Sequence, residues 1–332
     1  MTKLYLHIGP HKTGSTYIQK FFNDNRDGLL GLGVNYANVG LGVHFGQHVI
    51  IEQIKSLDQA ALQTYLPQFL GGEVNFVSSE NFDRLNAAQV DKFGKALMAV
   101  DAKLEVKVVY YYRNYVDLLP SWWQEEVKHG SAVSFYEFAL PHILRPFTSN
   151  IVNPAMLLDS YANVFAKENI TVVDYDLAVE EGNILHPIFK LLNIDLGDVK
   201  NEIVNASAKL EVIEIIRALN AMAKFNDQWH LHKVRTLFLR KKRNPEIANE
   251  VEQLSAAIRN HMKPVKFAGG FFEKSVLDVF KKRYEACFFN SEIGEIPDRE
   301  VSVPSDNWML KSDILGTCER VYQHVMSGDV SY

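Results

Sequence analysis

The sequence has few cysteines, no long apolar run and no excess of positive charge, and each absence argues against a class of protein. Its 332 residues include only Cys287 and Cys318, so no disulfide framework is needed and a reducing compartment suits the chain. No window approaches the ~18 uninterrupted apolar residues of a membrane-spanning helix, so no membrane span is expected. The formal charge of -5 argues against a general nucleic-acid-binding protein, whose binding surface is basic.

What the sequence does have is the composition of a globular protein. Hydrophobic residues make up 47% and charged residues 23% of the chain, and the length allows a large core. The N-terminus enters an apolar strand at once, without the charged segment and apolar run of a secretory signal. We therefore expect a soluble, cytoplasmic protein.

Short apolar runs alternate with longer segments of helical periodicity, which predicts a mostly parallel sheet covered by helices on both faces. The predicted strands are Leu4–Ile8, Val74–Val77, Val106–Tyr112 and Ile170–Tyr175. The predicted helices are 15–27, 57–70, 87–100, 115–129, 153–168, 207–225, 245–261 and 272–287. We expect a single domain, with an α/β core over 1–200 and a helical extension over 201–332. Prolines near 297–304 are expected to introduce a short tail.

The first strand runs into a glycine-containing loop that is typical of phosphate binding. The segment Gly9-Pro-His-Lys-Thr-Gly-Ser-Thr16 follows the strand and opens a helix, so backbone N–H groups can point at an anion. Nucleotide triphosphatases carry a lysine directly after the second glycine, where this chain has Ser15, and the only loop lysine is Lys12. The pattern predicts an anion cradle without the usual lysine–Mg²⁺ arrangement for ATP. A plain glycine turn followed by helix-capping residues stays open as the alternative.

A second anion site is predicted where the third of these strands ends. Arg113 leaves the strand, and Ser121 follows eight residues later on the next helix. A guanidinium fork suits a phosphate, and the serine hydroxyl can add a further donor. The alternative is that the arginine covers the sheet edge and the serine caps the helix. Two anion sites at neighbouring strand ends fit a nucleotide with phosphate at both ends of its nucleoside.

These two segments resemble parts of the sulfotransferases that use 3′-phosphoadenosine 5′-phosphosulfate (PAPS), most of all the bacterial carbohydrate-type enzymes. The loop resembles their 5′-phosphosulfate loop, the Arg113…Ser121 segment their 3′-phosphate-binding segment, and Asn205-Ala-Ser207 a further segment that they carry. The resemblance covers about residues 3–210. It implies a P-loop-like α/β fold, PAPS as cofactor with 3′-phosphoadenosine 5′-phosphate (PAP) as product, and no required metal. The cofactor-binding residues that it implies are Gly9, Pro10, His11, Lys12, Thr13, Gly14, Ser15, Thr16, Arg113, Ser121, Asn205 and Ser207.

The implied reaction is in-line transfer of a sulfuryl group to an acceptor hydroxyl or amine, with a small molecule or carbohydrate as acceptor. Lys12 is the expected residue to neutralise charge on the leaving phosphate. Glu80 follows the second predicted strand, and the resemblance implies a glutamate base there, whose pKa partial burial is expected to raise. The alternative for Glu80 is a helix cap or a partner of Arg84.

His44 and His48 are the rival catalytic bases. Their spacing predicts that both lie on one helix face, where they can bind substrate or, as a weaker alternative, a metal. No glutamate follows His44 in the manner of a zinc protease. Ordinary helix histidines are the structural alternative.

Two other functions stay open at this point. A P-loop-type nucleotide kinase or triphosphatase would require ATP and Mg²⁺, and the absence of a lysine after Gly14 disfavours it. A non-catalytic sulfonucleotide-binding module would keep the fold and bind PAP without turnover.

Overall fold

The computed structural model describes residues 1–195, 208–226, 231–267, 276–290, 293, 294, 296 and 298–327 of the chain. Contacts within the chain define two compact units. The first unit comprises Met1–Tyr115, Pro146–Asn205 and Phe271–Ile296. The second comprises Val116–Arg145, Ala206–Gly270 and Pro297–Tyr332.

A five-stranded parallel sheet forms the centre of the first unit. Its strands are β1 (Lys3–His7), β2 (Val34–Asn35), β3 (Val74–Ser78), β4 (Glu105–Tyr112) and β5 (Ile170–Asp174), in the spatial order β2-β3-β1-β4-β5. Strand β1 pairs with β3 on one side and β4 on the other, so Lys3 is opposite both Val74 and Glu105. The carboxyl ends of these three strands therefore lie side by side, where ligands bind in open parallel sheets.

Helices lie between the strands of the first unit along the chain and after its last strand. They are α1 (Ser15–Asp24), Arg26–Gly31, Val49–Ser56, Gln59–Tyr65, Ala87–Val100, Pro154–Phe165, Tyr175–Glu180, His186–Leu192 and Asp278–Tyr284. Single 3₁₀ turns span Val43–Phe45, Leu66–Phe69, Glu80–Arg84, Pro146–Thr148, Lys167–Asn169 and Glu285–Cys287. A parallel sheet flanked by helices, with a glycine loop between its central strand and α1, confirms the predicted P-loop-like α/β fold class.

Aromatic side chains fasten α1 to the sheet. Ile18 and Phe22 are one helical turn apart and fully buried, so α1 presents an apolar face to the sheet. The ring of Phe22 stacks on Phe76 of β3 with centroids 4.1 Å apart. Burying one such side chain contributes about 1.5–3 kcal/mol. This packing fixes the N-terminal end of α1, and with it the preceding loop, at the edge of the sheet.

The four predicted strands agree with the structure to within one residue at each end. Strand β2 was not predicted, because a two-residue strand is too short to show a pattern. The predicted helix 57–70 is divided in the structure, since a 3₁₀ turn begins at Leu66 and Pro67 cannot continue the hydrogen-bond pattern of the preceding helix.

The second unit is mainly helical. Its elements are Tyr115–Lys128 (from Val116 onward), Phe135–Leu144, Leu210–Phe225, Leu231–Lys241, Pro245–Asn260, the 3₁₀ turn Asp306–Leu310, Ser312–Met326, and the antiparallel strands β6 (Met262–Phe267) and β7 (Arg299–Pro304). Buried Glu214 accepts hydrogen bonds from the Arg217 guanidinium at 2.6 Å and from the Trp308 indole at 2.7 Å.

The predicted tail after 297–304 is wrong. Strand β7 occupies that segment and pairs with β6, and the helix Ser312–Met326 follows it. Among the residues that the structure describes, no helix is both long and apolar enough to cross a membrane.

Candidate functional site

The loop between β1 and α1 depends on its two glycines. Gly9 has a φ of 90° and Gly14 a φ of 75°, both in the left-handed region that favours glycine. A Cβ on Gly14 would lie 2.3 Å from Cδ1 of Ile184, and a Cβ on Gly9 would lie 3.0 Å from Cα of Glu80. Backbone conformation and close packing therefore both require glycine at these positions.

Other loop residues hold the backbone in its turned conformation. Lys12 has a φ of 69°, which costs a residue other than glycine about 1–2 kcal/mol. Within the loop, the hydroxyl of buried Thr13 donates a 2.7 Å hydrogen bond to the carbonyl oxygen of Pro10. Helix α1 begins at Ser15, and no described side chain caps it at Gly14. The backbone N–H groups of its first turn are thus a suitable site for an anion.

Arg113 connects the end of β4 to this loop. Its Nη1 donates a 2.7 Å hydrogen bond to the carbonyl oxygen of Lys12, and its guanidinium lies 5.2 Å from the ring centroid of Tyr175. Nε is 3.8 Å from Oδ1 of Asp176, whose Oδ2 accepts a 2.8 Å hydrogen bond from the Asn114 amide. The structure brings Arg113 to the loop, and its role toward a phosphate stays a prediction.

Glu80 lies beside the loop, at the start of the 3₁₀ turn that follows β3. Its Oε2 accepts a 2.6 Å hydrogen bond from Nε2 of Gln19, a fully buried residue of α1. Its Oε1 is 3.9 Å from Nδ1 of His11. Sequence reasoning missed Gln19, because nothing in the helical pattern of α1 shows that a polar side chain on its buried face meets a carboxylate.

The electrostatic surroundings of Glu80 differ from the expectation. Burial by itself raises the pKa of Glu80, but the charges of His48 and His11 and the hydrogen bond from Gln19 together lower that pKa below the ordinary glutamate value. The expected raised pKa is therefore wrong. A carboxylate with a lowered pKa is ionised at neutral pH, which is the form that accepts a proton.

The predicted common helix face of His44 and His48 is also wrong. His44 is exposed and has a φ of 65°, whereas His48 directly precedes the helix Val49–Ser56. Nδ1 of His48 is 2.8 Å from Oγ of Ser79, the residue before Glu80. Of the two histidines, His48 is therefore the one that lies next to the turn containing Glu80, and it stays the rival base.

A second carboxyl group at the site, Asp83, was missed by sequence reasoning. Its side chain is 2% exposed, and Oδ1 is 4.0 Å from Nε2 of His11. Burial and, to a smaller extent, the nearby charge of Glu80 raise the pKa of Asp83 to about 8, against partial compensation by Arg84 and the His11 backbone. A spacing of three residues on a 3₁₀ turn places Glu80 and Asp83 on the same side, which is the one signal in the sequence.

The other residues predicted for the cofactor site lie in different parts of the chain. Ser15 is buried in the first turn of α1, and Thr16 is partly exposed beside it. Ser121 lies on the helix Tyr115–Lys128, in the second unit, so its joint action with Arg113 stays a prediction. Asn205 and Ser207 lie outside the described residues. Within the described part of the chain, no group of three or more His, Cys, Asp or Glu side chains is arranged to hold a metal ion.

Comparison with known proteins finds similarity among solved structures. No protein-family model matches the chain, and a search of curated proteins finds no similar sequence. Among solved structures, a sulfotransferase from Alicyclobacillus acidocaldarius is similar, with 13% identity and a TM-score of 0.40, over 69% of this chain and 93% of that one.

Proposed function

We propose that this protein is a PAPS-dependent sulfotransferase that moves a sulfuryl group to an acceptor hydroxyl or amine. The observation that carries the proposal is the hydrogen bond from Arg113 to the backbone of Lys12. It brings Arg113, at the end of β4, to the loop that contains Lys12, so two residues with cationic side chains come from neighbouring strand ends. Two such groups match the phosphosulfate and the 3′-phosphate of PAPS.

The residues present fit this cofactor. The positive φ angles of Gly9 and Gly14 let the backbone turn closely around an anion, and the N-terminus of α1 begins directly after the loop. Lys12 adds a positive charge within the loop. Arg113 offers the fork-shaped donor set that suits a phosphate.

The chemistry of transfer needs a base and a stabilised leaving group. Held by the loop and Arg113, PAPS would supply the sulfuryl group to the acceptor oxygen or nitrogen and would leave as PAP. Glu80 receives the proton that the acceptor loses, and Lys12 stabilises the negative charge that the leaving phosphate gains. The hydrogen bond from Gln19 holds the Glu80 carboxylate in place.

A carbohydrate is the proposed acceptor, because the resemblance of the loop and of the Arg113 segment is strongest to carbohydrate-type enzymes. The test is incubation with radiolabelled PAPS and a panel of neutral and acidic oligosaccharides, some with free amines. Transfer of label by the wild-type protein, lost in Glu80→Gln, supports the proposal. Tight PAP binding with no label on any acceptor would instead identify a non-catalytic binding module.

A further inference from the structure

Asp83 is a buried acid that the proposed reaction does not use. Its side chain is 2% exposed, and neither carboxyl oxygen has a hydrogen-bond partner of standard geometry within the described residues. A buried carboxyl group in this state costs folding free energy. A buried carboxyl group without such partners requires an explanation, and a role in the neighbouring site is one.

The ring of His11 lies between Asp83 and Glu80. Nδ1 of His11 is 3.9 Å from Oε1 of Glu80, and Nε2, on the other side of the ring, is 4.0 Å from Oδ1 of Asp83. Both distances exceed the length of a normal hydrogen bond by about 1 Å. A neutral imidazole has one N–H and one acceptor nitrogen, so its two neighbours must differ in protonation.

The other ionisable groups around Asp83 do not outweigh the effect of its burial. Around Asp83 they are Arg84 of the same turn, which is exposed, and the buried hydroxyls of Tyr110 and Tyr161 from β4 and from the helix Pro154–Phe165. Asp83 is thus the group whose surroundings favour the protonated acid.

Glu80 has the opposite surroundings. The hydrogen bond from the Gln19 amide and the positive charge of His48 favour its ionised form. The buried ring of His7 and the buried hydroxyl of Tyr36 also lie close enough to interact with its charge. Two carboxyl groups on one turn are thereby driven toward different protonation states by what surrounds them.

We propose that Asp83 is a positioning residue, which as a carboxylic acid donates a hydrogen bond to Nε2 of His11 and so directs the Nδ1–H of that ring at Glu80. This arrangement keeps Glu80 ionised and oriented. It deepens the proposed function and rests on it for the meaning of Glu80 as base. The proton that the acceptor loses still goes to Glu80, and Asp83 touches neither cofactor nor acceptor.

The test uses Asp83→Leu, which removes the donor, and Asp83→Asn, which keeps an N–H donor of the same shape. The titration midpoint of the Glu80 side-chain carboxyl carbon is measured by NMR in the full-length protein without ligand. In Asp83→Leu we expect it to rise by about 1 pH unit, because His11 no longer holds its N–H against Glu80. In Asp83→Asn we expect the wild-type midpoint. An unchanged midpoint in Asp83→Leu overturns the proposal.

A measurement on the wild-type protein keeps the proposal falsifiable where Asp83→Leu does not fold. Two-bond ¹H–¹⁵N spectra show which ring nitrogen of His11 carries the proton. The proposal requires a proton on Nδ1 and none on Nε2 at neutral pH, so a proton on Nε2, with or without one on Nδ1, contradicts it. The ring of His48, held by Ser79, is the internal control and should be the same in Asp83→Asn as in wild type.

The two NMR measurements test the role of Asp83 separately from the sulfotransferase function. They need no PAPS, so an unmoved Glu80 midpoint together with normal PAP binding removes only the role of Asp83. A shifted midpoint without PAP binding removes the sulfotransferase proposal and leaves the coupling between Asp83 and Glu80. If the Glu80 midpoint shifts and the protein binds PAP, Asp83→Leu should lower kcat for cleavage of PAPS by about 10-fold and leave the Kd for PAP unchanged.

Discussion

Nη1 of Arg113 donates a 2.7 Å hydrogen bond to the backbone carbonyl oxygen of Lys12, so the end of β4 supports the loop that follows β1. Lys12 is held with a φ of 69°, a conformation that a lysine does not favour. The surrounding contacts therefore stabilise the loop in a shape that its own residues resist. Preorganisation of this kind lets a site stabilise developing charge without rearranging during the reaction.

Lys12→Ala should lower the rate of sulfuryl transfer by about 10²–10³, the usual cost of removing one preorganised charge-stabilising donor. The protein should remain folded, because alanine tolerates this backbone angle no worse than lysine. Lys20→Ala on α1 is the matched control, since Lys20 pairs with exposed Asp24 at 2.9 Å. Initial rates and thermal melts of both variants give the answer. Near-normal turnover in Lys12→Ala would remove its assigned role.

Glu80→Gln should lower the transfer rate by about 10²–10⁴ while leaving the Kd for PAP unchanged, because it removes the base and keeps the shape of the side chain. Since the pKa of Glu80 lies below the ordinary glutamate value, the wild-type rate should stay constant as the pH falls from neutral and should decline only at a pH below that ordinary value. The pH profile of kcat/KM measures this. A comparable loss in His48→Ala, with Glu80→Gln active, would instead make His48 the base.

Gly14→Ala should destabilise the protein more than Gly33→Ala. Both glycines have positive φ, 75° and 83°, so alanine costs about 1–2 kcal/mol of backbone energy at either position. Only at Gly14 does the new Cβ meet another atom, Cδ1 of Ile184 at 2.3 Å, and overpacking adds about 1–3 kcal/mol. Denaturant unfolding of the two variants measures the difference. Equal losses of free energy would show that the contact with Ile184 relaxes freely.

Asp83→Asn should become more stable relative to wild type as the pH rises. Burial raises the pKa of Asp83 from 3.8 to about 8, so the folded protein holds a proton there that the unfolded chain releases. The contribution of this residue to the free energy of unfolding of the wild type is therefore highest below pH ~4, where folded and unfolded chains are both protonated at this residue. It falls progressively until pH ~8, where the folded protein also releases the proton. The free energy of unfolding of both proteins, measured across this range, should therefore diverge in favour of the variant. A constant difference between pH 4 and pH 8 contradicts the assigned pKa.

The loop and the strand ends could be predicted because their signals are local. Gly9, Gly14 and the apolar strand before them form one continuous pattern, and Arg113 directly follows a strand with a clear β-branched and aromatic composition. Alternation of strands and helices then determines that these segments meet at one edge of a parallel sheet.

The surroundings of the carboxyl groups could not be predicted, since they come from contacts distant in the chain. Gln19 reaches Glu80 across 61 residues, and burial of Asp83 follows from the packing of the whole turn. The structure has no continuous helix that carries both His44 and His48, and the reason is local. His44 and Phe45 are consecutive residues with positive φ, which a right-handed helix does not accommodate.

Calorimetric titration of the metal-free protein with PAP tests the central claim most directly, with ADP and ATP·Mg²⁺ as comparison ligands. The account predicts micromolar binding of PAP that needs the 3′-phosphate and no metal. It also predicts that Arg113→Ala loses most of the preference for PAP over AMP, which lacks that phosphate. Binding of ATP·Mg²⁺ without binding of PAP would contradict the account and make the protein a nucleotide kinase or triphosphatase.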